Sequence, residues 1–212
     1  TRPEMGREAL ADVDAVLTTR ELARLIRLRG IDLNALAPDT QDTPFGERSS
    51  AGKLFGATGG VMEAAVRTAH VLLTGEELPQ LKLKAVRGLD GVKEACLTVA
   101  GIDIGVAVVN GLGNAKQLLH EVQAGWRNLH FIEVMNCRGG CIGGGGQPLD
   151  ADPEAIRARM QTLYKIDRDE PMRTSHSNPS VQRLYDEFLE KPLGQRSHEL
   201  LHTTYTHHEV KA

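Results

Sequence analysis

Two cysteines four positions apart lie in the run Asn136-Cys137-Arg138-Gly139-Gly140-Cys141, and Gly143 to Gly146 follow almost at once. Thiolates bind iron and zinc well, and glycine lets backbone approach a bulky inorganic group and aim N–H groups at its sulfurs. A bare tight turn around two buried thiols is the plainer reading, but so much glycine loses chain entropy without supplying side-chain packing. Zinc is the competing metal, yet structural zinc sites usually carry two tight cysteine knuckles, and this chain has three cysteines in all. Zinc would need His198, His202, His207 or His208, which stand on a polar terminal segment where solvated imidazoles are the common case. Met135, two residues before Cys137 on the same strand face, either covers a cluster with a soft thioether or packs in the core. Cys96 alternates within a strand-like run and reads as a small buried hydrophobe.

Two glycine turns, Gly56-Ala57-Thr58-Gly59-Gly60 and Gly111-Leu112-Gly113-Asn114, invite a phosphate-binding reading. The second has Lys116 where a dinucleotide fingerprint needs its third glycine, and neither fits a P-loop, so close packing explains both.

The elements that must hold these residues follow from periodicity. Val13 to Leu17 reads as a strand feeding a capped amphipathic helix from Thr18 to Gly30. Asn34 to Gly52 reads as a long surface or site-lining loop, and a buried helix begins near Gly60. Strands are expected around Val86 to Gly91, at Ala95 to Val99 and at Ile104 to Val109, with a hairpin at Ala100-Gly101. A helix over Ala115 to Ala124 precedes the strand Phe131 to Met135, which delivers the chain into the cysteine pair. Ala151 to Ile166 and Val181 to Leu189 read as helices, and the end from Ser197 onward as a polar surface wrap. The expected fold class is α/β: a parallel-rich sheet flanked by helices, a small antiparallel insertion near Lys82 to Val109 and a C-terminal helical wrap.

With 212 residues and a formal charge of -3, the chain can bury a core but offers no broad basic surface for nucleic acid or anionic lipid. No run approaches the roughly 18 apolar residues of a spanning helix and no signal-peptide pattern opens the chain, so a cytoplasmic location is expected. The chain opens on Thr1 rather than methionine, from which truncation or processing is expected.

The run Glu133-Val134-Met135-Asn136-Cys137-Arg138-Gly139-Gly140-Cys141-Ile142-Gly143-Gly144-Gly145-Gly146-Gln147-Pro148 resembles the last of the three signatures of FeFe (iron-only) hydrogenases, matching at every fixed position. The resemblance continues through Asp14 to Leu22, Phe55 to Ala65, Arg173 to His176 and Ser197 to His202, and so covers essentially the whole chain. It implies that residues 1–149 form the second lobe of a hydrogenase catalytic domain and residues 150–212 a small-subunit-like helical belt. It further implies an H-cluster, a 4Fe-4S cubane bridged to a di-iron unit, with Cys137 as cubane ligand and Cys141 as bridging thiolate. Met135 would lie against the di-iron unit, and Phe55, Gly56, Thr58 and Gly59 would line the same cavity. The implied reaction is reversible reduction of protons to hydrogen, with electrons exchanged with a carrier such as ferredoxin or, through absent parts, with NAD(P).

The sequence departs from the family in lacking its other two signatures, T-S-C-C-P-x-W and M-P-C-x-x-K-x-x-E, which carry the remaining cubane cysteines. The chain alone is therefore expected to be inactive and to require an N-terminal lobe or separate subunit as partner. Arg138 and Asn136 differ from common family residues at variable positions, and a cation at 138 would raise the cluster potential. A non-catalytic iron-sulfur assembly or sensory relative and a zinc-binding α/β module are the alternative readings.

Overall fold

The computed structural model describes residues 6–7, 10–44, 46–78, 83–149 and 152–202. Its centre is a three-stranded mixed sheet in the order β3 (Val92–Val99), β4 (Ile102–Asn110), β5 (Phe131–Met135). β3 and β4 are antiparallel, from Val92↔Val109 to Val99↔Ile102, and β4 and β5 are parallel, from Val106↔Phe131 to Asn110↔Met135. Ala100 and Gly101, both at positive φ, make the hairpin turn where the sequence placed it.

Helices cover both faces, which is why β4 ends in a continuous apolar run rather than an alternating one. Val106 and Val108 point to α3 (Gly60–Thr74) and pack with Met62, Val66 and Val86. Ala107 and Val109 point the other way, to Ala115 and Leu118 of α4 (Leu112–Gln123). Burying these side chains at about 25 cal/mol per Å² of apolar surface is the main term holding the three layers together.

The rest frames this body. A two-residue ribbon, β1 (Gly6–Arg7) with β2 (Leu10–Ala11), precedes α1 (Thr19–Leu28). α1 opens with the expected capping box, in which Thr18 and Glu21 satisfy each other's backbone N–H groups. α2 (Ser50–Leu54) closes the long loop and packs on α5 (Pro153–Asp169), and α6 (Pro179–Leu184) and α7 (Gln195–Leu201) complete the C-terminal side. Asp152 and Asn178 cap α5 and α6 with side-chain oxygens, each with proline at the start of the helix.

Several expectations are corrected. Among the described residues Val13 to Leu17 has no ladder partner, and it is not a strand. Val86 to Gly91 is not a strand either: a short 3-10 turn over Lys84–Val86 leads into it, and β3 then starts at Val92. Cys96 is exposed: its cross-strand partner on β4 is Gly105, which has no side chain to cover it. The second C-terminal helix widens into a π-turn over Tyr185–Leu189, and the polar end from Ser197 is helical to Leu201. The expected surface wrap beyond residue 202 lies outside the described residues.

Candidate metal centre

β5 ends at Met135 and hands the chain to a loop whose backbone is fastened from three sides. Asn110, at the end of β4, donates from Nδ2 to the carbonyls of Met135 at 3.0 Å and Cys137 at 2.5 Å, while its Oδ1 accepts from Gly139 N at 3.2 Å. On the opposite side Thr58 N donates to Gly139 O at 2.9 Å and Ile142 N donates to Gly56 O at 3.1 Å. Behind the loop, Arg159 of α5 donates to Ile142 O at 2.8 Å.

This packing requires the glycines. Gly140 has φ +97, and a Cβ there would stand 2.7 Å from Thr58 N and 2.8 Å from Gly56 O. At Gly60 a Cβ would stand 1.7 Å from Leu54 O, so α3 begins where only glycine lets two backbones cross. The two glycine-rich segments, at 56–60 and 137–146, are therefore packed backbone to backbone.

Glu133 ties the same pair together from below. Its buried carboxylate accepts from Gly59 N at 2.6 Å and Met62 N at 2.7 Å, replacing the side-chain cap that Gly59 cannot offer α3. A carboxylate at a helix N-terminus is favoured by the dipole and by the orphan N–H groups there. Lys93 lies on the same cross-strand row, through Val108, and donates to Gly88 O at 2.9 Å. Burial holds the Lys93 ammonium below its usual range, with Glu133 and Asp90 pulling partly the other way.

On this braced frame the thiols of Cys137 and Cys141 are free and exposed. Met135 is half-buried, Phe55 is 46% exposed, and Gly56 borders the loop. Thr58 and Gly59 are buried; Thr58 meets the cysteine loop through its backbone, and its Oγ1 has no hydrogen-bond partner. The Gly111 turn does not hold an open phosphate cradle: Gly111 N donates to Met135 O at 2.8 Å and so fastens α4 to the cysteine strand.

Two thiolates on one turn suit iron-sulfur ligation and supply half of the four ligands a cubane takes. Among the described residues no group of three or more His, Cys, Asp or Glu could hold a metal ion, so they offer no complete zinc site. His198 and His202 stack on each other with ring centroids 4.1 Å apart, and His207 and His208 lie outside the described residues. The residues present thus fit one side of a shared cluster.

Sequence reasoning missed Asn110 and the capping role of Glu133, and it missed a charge cluster on the next turns of α3. There Arg67 donates to Glu63 at 2.6 Å and Asp167 at 2.8 Å, Arg87 bonds both carboxylates, and Arg173 reaches Asp167 at 2.9 Å. Burial alone would raise the Asp167 carboxyl, but hydrogen bonds from Arg67, Arg173 and Ser50 outweigh it and hold it well below the carboxylate range. The only linear signal was Glu63 and Arg67 at helical spacing four.

The site is thus a mixed α/β layer that exposes two thiols beside a glycine-lined turn. The model of the iron-only hydrogenase large subunit, C-terminal domain, matches residues 1–145, and that of the iron hydrogenase small subunit matches residues 153–208. The chain belongs to the iron-only hydrogenase family. It is 49% identical over 205 residues to the NADP-reducing hydrogenase subunit HndD of Solidesulfovibrio fructosivorans, covering 96% of this chain and 35% of that protein. It is 32% identical to the mouse cytosolic iron-sulfur assembly component 3, over 92% of this chain and 41% of that one. It superposes on the FeFe-hydrogenase of Chlamydomonas reinhardtii with a TM-score of 0.76 at 42% identity, covering 96% of this chain and 59% of the other. The chain therefore spans about a third to three fifths of the length of these relatives. Among the described residues no helix is long and apolar enough to cross a membrane.

Proposed function

We propose that this chain is the cysteine-bearing lobe of an FeFe-hydrogenase catalytic domain that reversibly reduces protons to hydrogen once joined to a lobe carrying the other cluster ligands. The observation that carries this reading is the pair of exposed thiols, Cys137 and Cys141, on a loop whose backbone is pinned by Asn110, Gly56 and Thr58. When bound, an H-cluster supplies electron storage and the iron atoms at which protons and electrons combine.

Cys137 and Cys141 would hold this group through their thiolates, Cys137 on the 4Fe-4S part. Met135, half-buried beside the loop, and the exposed ring of Phe55 would give that group an apolar cover that excludes water. Glu133 ties the turn that follows Phe55 to the strand that leads into the cysteine loop. Arg138, exposed and between the two cysteines in sequence, would place a cation beside such a cluster and raise its potential. The partner is the lobe bearing the two missing signatures, and electrons are exchanged with a carrier such as ferredoxin.

Iron content and hydrogen evolution, measured after anaerobic cluster reconstitution with and without a coexpressed N-terminal lobe, test this. A full cluster and activity only with the partner is the expected result. Iron without hydrogen in the joined protein would move the chain to the assembly-type relatives, although its greater identity to hydrogenase subunits supports the enzyme. No iron in either condition would overturn the cluster assignment.

A further inference from the structure

The C-terminal helix α7 ends in the run His198-Glu199-Leu200-Leu201-His202, with two histidines one helical turn apart. Residues at i and i+4 of a helix share a face, and imidazoles so placed are a recurrent pair of zinc ligands. The other polar side chains of α7 are engaged elsewhere. Ser197, buried, donates to Lys191 O at 2.9 Å, the Arg196 guanidinium lies 4.4 Å over the Phe188 ring, and Gln195 donates to Glu199 at 2.8 Å. His198 and His202 are exposed and stack on each other, their ring centroids 4.1 Å apart and their planes 24° from parallel. The turn beneath them is closed, with His202 N donating to His198 O at 3.1 Å. Among the described residues neither ring has a hydrogen-bond or ion-pair partner, so the ring nitrogens are left to solvent.

A metal bonded at about 2.0–2.1 Å to two nitrogens needs them about 3 Å apart. Rings stacked at 4.1 Å reach that spacing by a small rotation about each Cβ–Cγ bond, so binding demands little further ordering. The pair also stands on the last turn of α7, where the carbonyl end of the helix dipole favours a cation. Among the described residues no third His, Cys, Asp or Glu joins it, so water fills the remaining positions of a bound ion. Glu199 occupies the place of the general base in hydrolytic sites of this pattern, but it is held by Gln195, and with two protein ligands only the site is a binding site and not a hydrolase.

We infer that His198 and His202 form an exchangeable surface site for a transition-metal dication of the Zn²⁺ or Ni²⁺ type. Imidazole selects such ions over Mg²⁺ and Ca²⁺, which take oxygen ligands. The site shares no residue with the cysteine loop and does not rest on the hydrogenase reading.

The test is calorimetric titration of Ni²⁺ into the full chain carrying Cys96→Ser, Cys137→Ser and Cys141→Ser, so that no thiolate competes. This protein should take up Ni²⁺ and ignore Mg²⁺, and Ni²⁺ should perturb the amide resonances of residues 195–202. His198→Ala and His202→Ala should each weaken binding about 100-fold, the advantage that a second fixed ligand confers. His198→Gln should match His198→Ala, which separates loss of a ligand from fraying of the helix, and His120→Ala, on α4, should change nothing. Unchanged Ni²⁺ affinity in His198→Ala overturns the inference, whether the ion then depends on His207 and His208 or on another group. Mg²⁺ binding as tightly as Ni²⁺ also overturns it, since that marks an oxygen site.

Discussion

Two constructions share α3 and follow opposite rules. At its N-terminus the cysteine loop is fastened through its backbone to Asn110, Thr58 and Gly56, Glu133 caps the helix itself, and the side chains of Cys137 and Cys141 are left free. Within the helix's first two turns the cluster of Glu63, Arg67, Arg87, Asp167 and Arg173 has its charged side chains engaged with one another and joins α3 to α5 and the 173–178 segment. The first is a backbone frame that presents two thiols to solvent; the second is a structural joint made of side chains. Charge removal and thiol removal should therefore do opposite things to stability and to metal content.

The largest effect on stability is expected at the joint. Asp167→Ala leaves Arg67 and Arg173 without their shared carboxylate and should cost about 3–5 kcal/mol, read as a lowered denaturation midpoint. The same carboxylate fixes the acid response. Its folded pKa lies below its unfolded value of about 3.9, so its contribution is complete above that pH and is lost as pH falls further. Urea unfolding at descending pH should show stability dropping below about pH 4 in the parent protein and a flatter response in Asp167→Ala. Equal slopes would mean the joint is not the acid-sensitive element.

Next comes the frame. Gly140→Ala combines a positive φ with a Cβ placed 2.7 Å from Thr58 N, and should cost about 2–4 kcal/mol and open the contact between the two glycine segments. Faster amide exchange at residues 56–60 and 139–143 would report it. Glu133→Gln keeps one acceptor and loses the charge at the α3 N-terminus, for about 1–3 kcal/mol. A neutral result there would mean the cap is replaceable by water.

The smallest effect on stability, and the sharpest contrast, is at the thiols. Cys137→Ser and Cys141→Ser should change the metal-free denaturation midpoint by less than about 0.5 kcal/mol, because both side chains are exposed and unpartnered. Iron bound after reconstitution with the coexpressed N-terminal lobe should nonetheless fall sharply in either variant. If the serine variants destabilise the metal-free chain as Gly140→Ala does, the thiols belong to the frame and the contrast fails.

Local signals determined much of this. The capping box at Thr18 and Glu21, the hairpin turn at Ala100-Gly101, the strand Phe131–Met135 and the glycines around the cysteines all act within a few residues, so linear order suffices to find them. Tertiary structure decided what those signals are used for. Cys96 sits in a strand, as its alternation says, but only the register, which sets it opposite Gly105, leaves the thiol exposed. Glu133 caps a helix 74 residues away in sequence and Asp167 gathers arginines from three segments, pairings that no periodicity encodes. Val13 to Leu17 has the composition of a strand, yet a strand exists only where a second edge supplies its hydrogen bonds, and no described part of this chain supplies one.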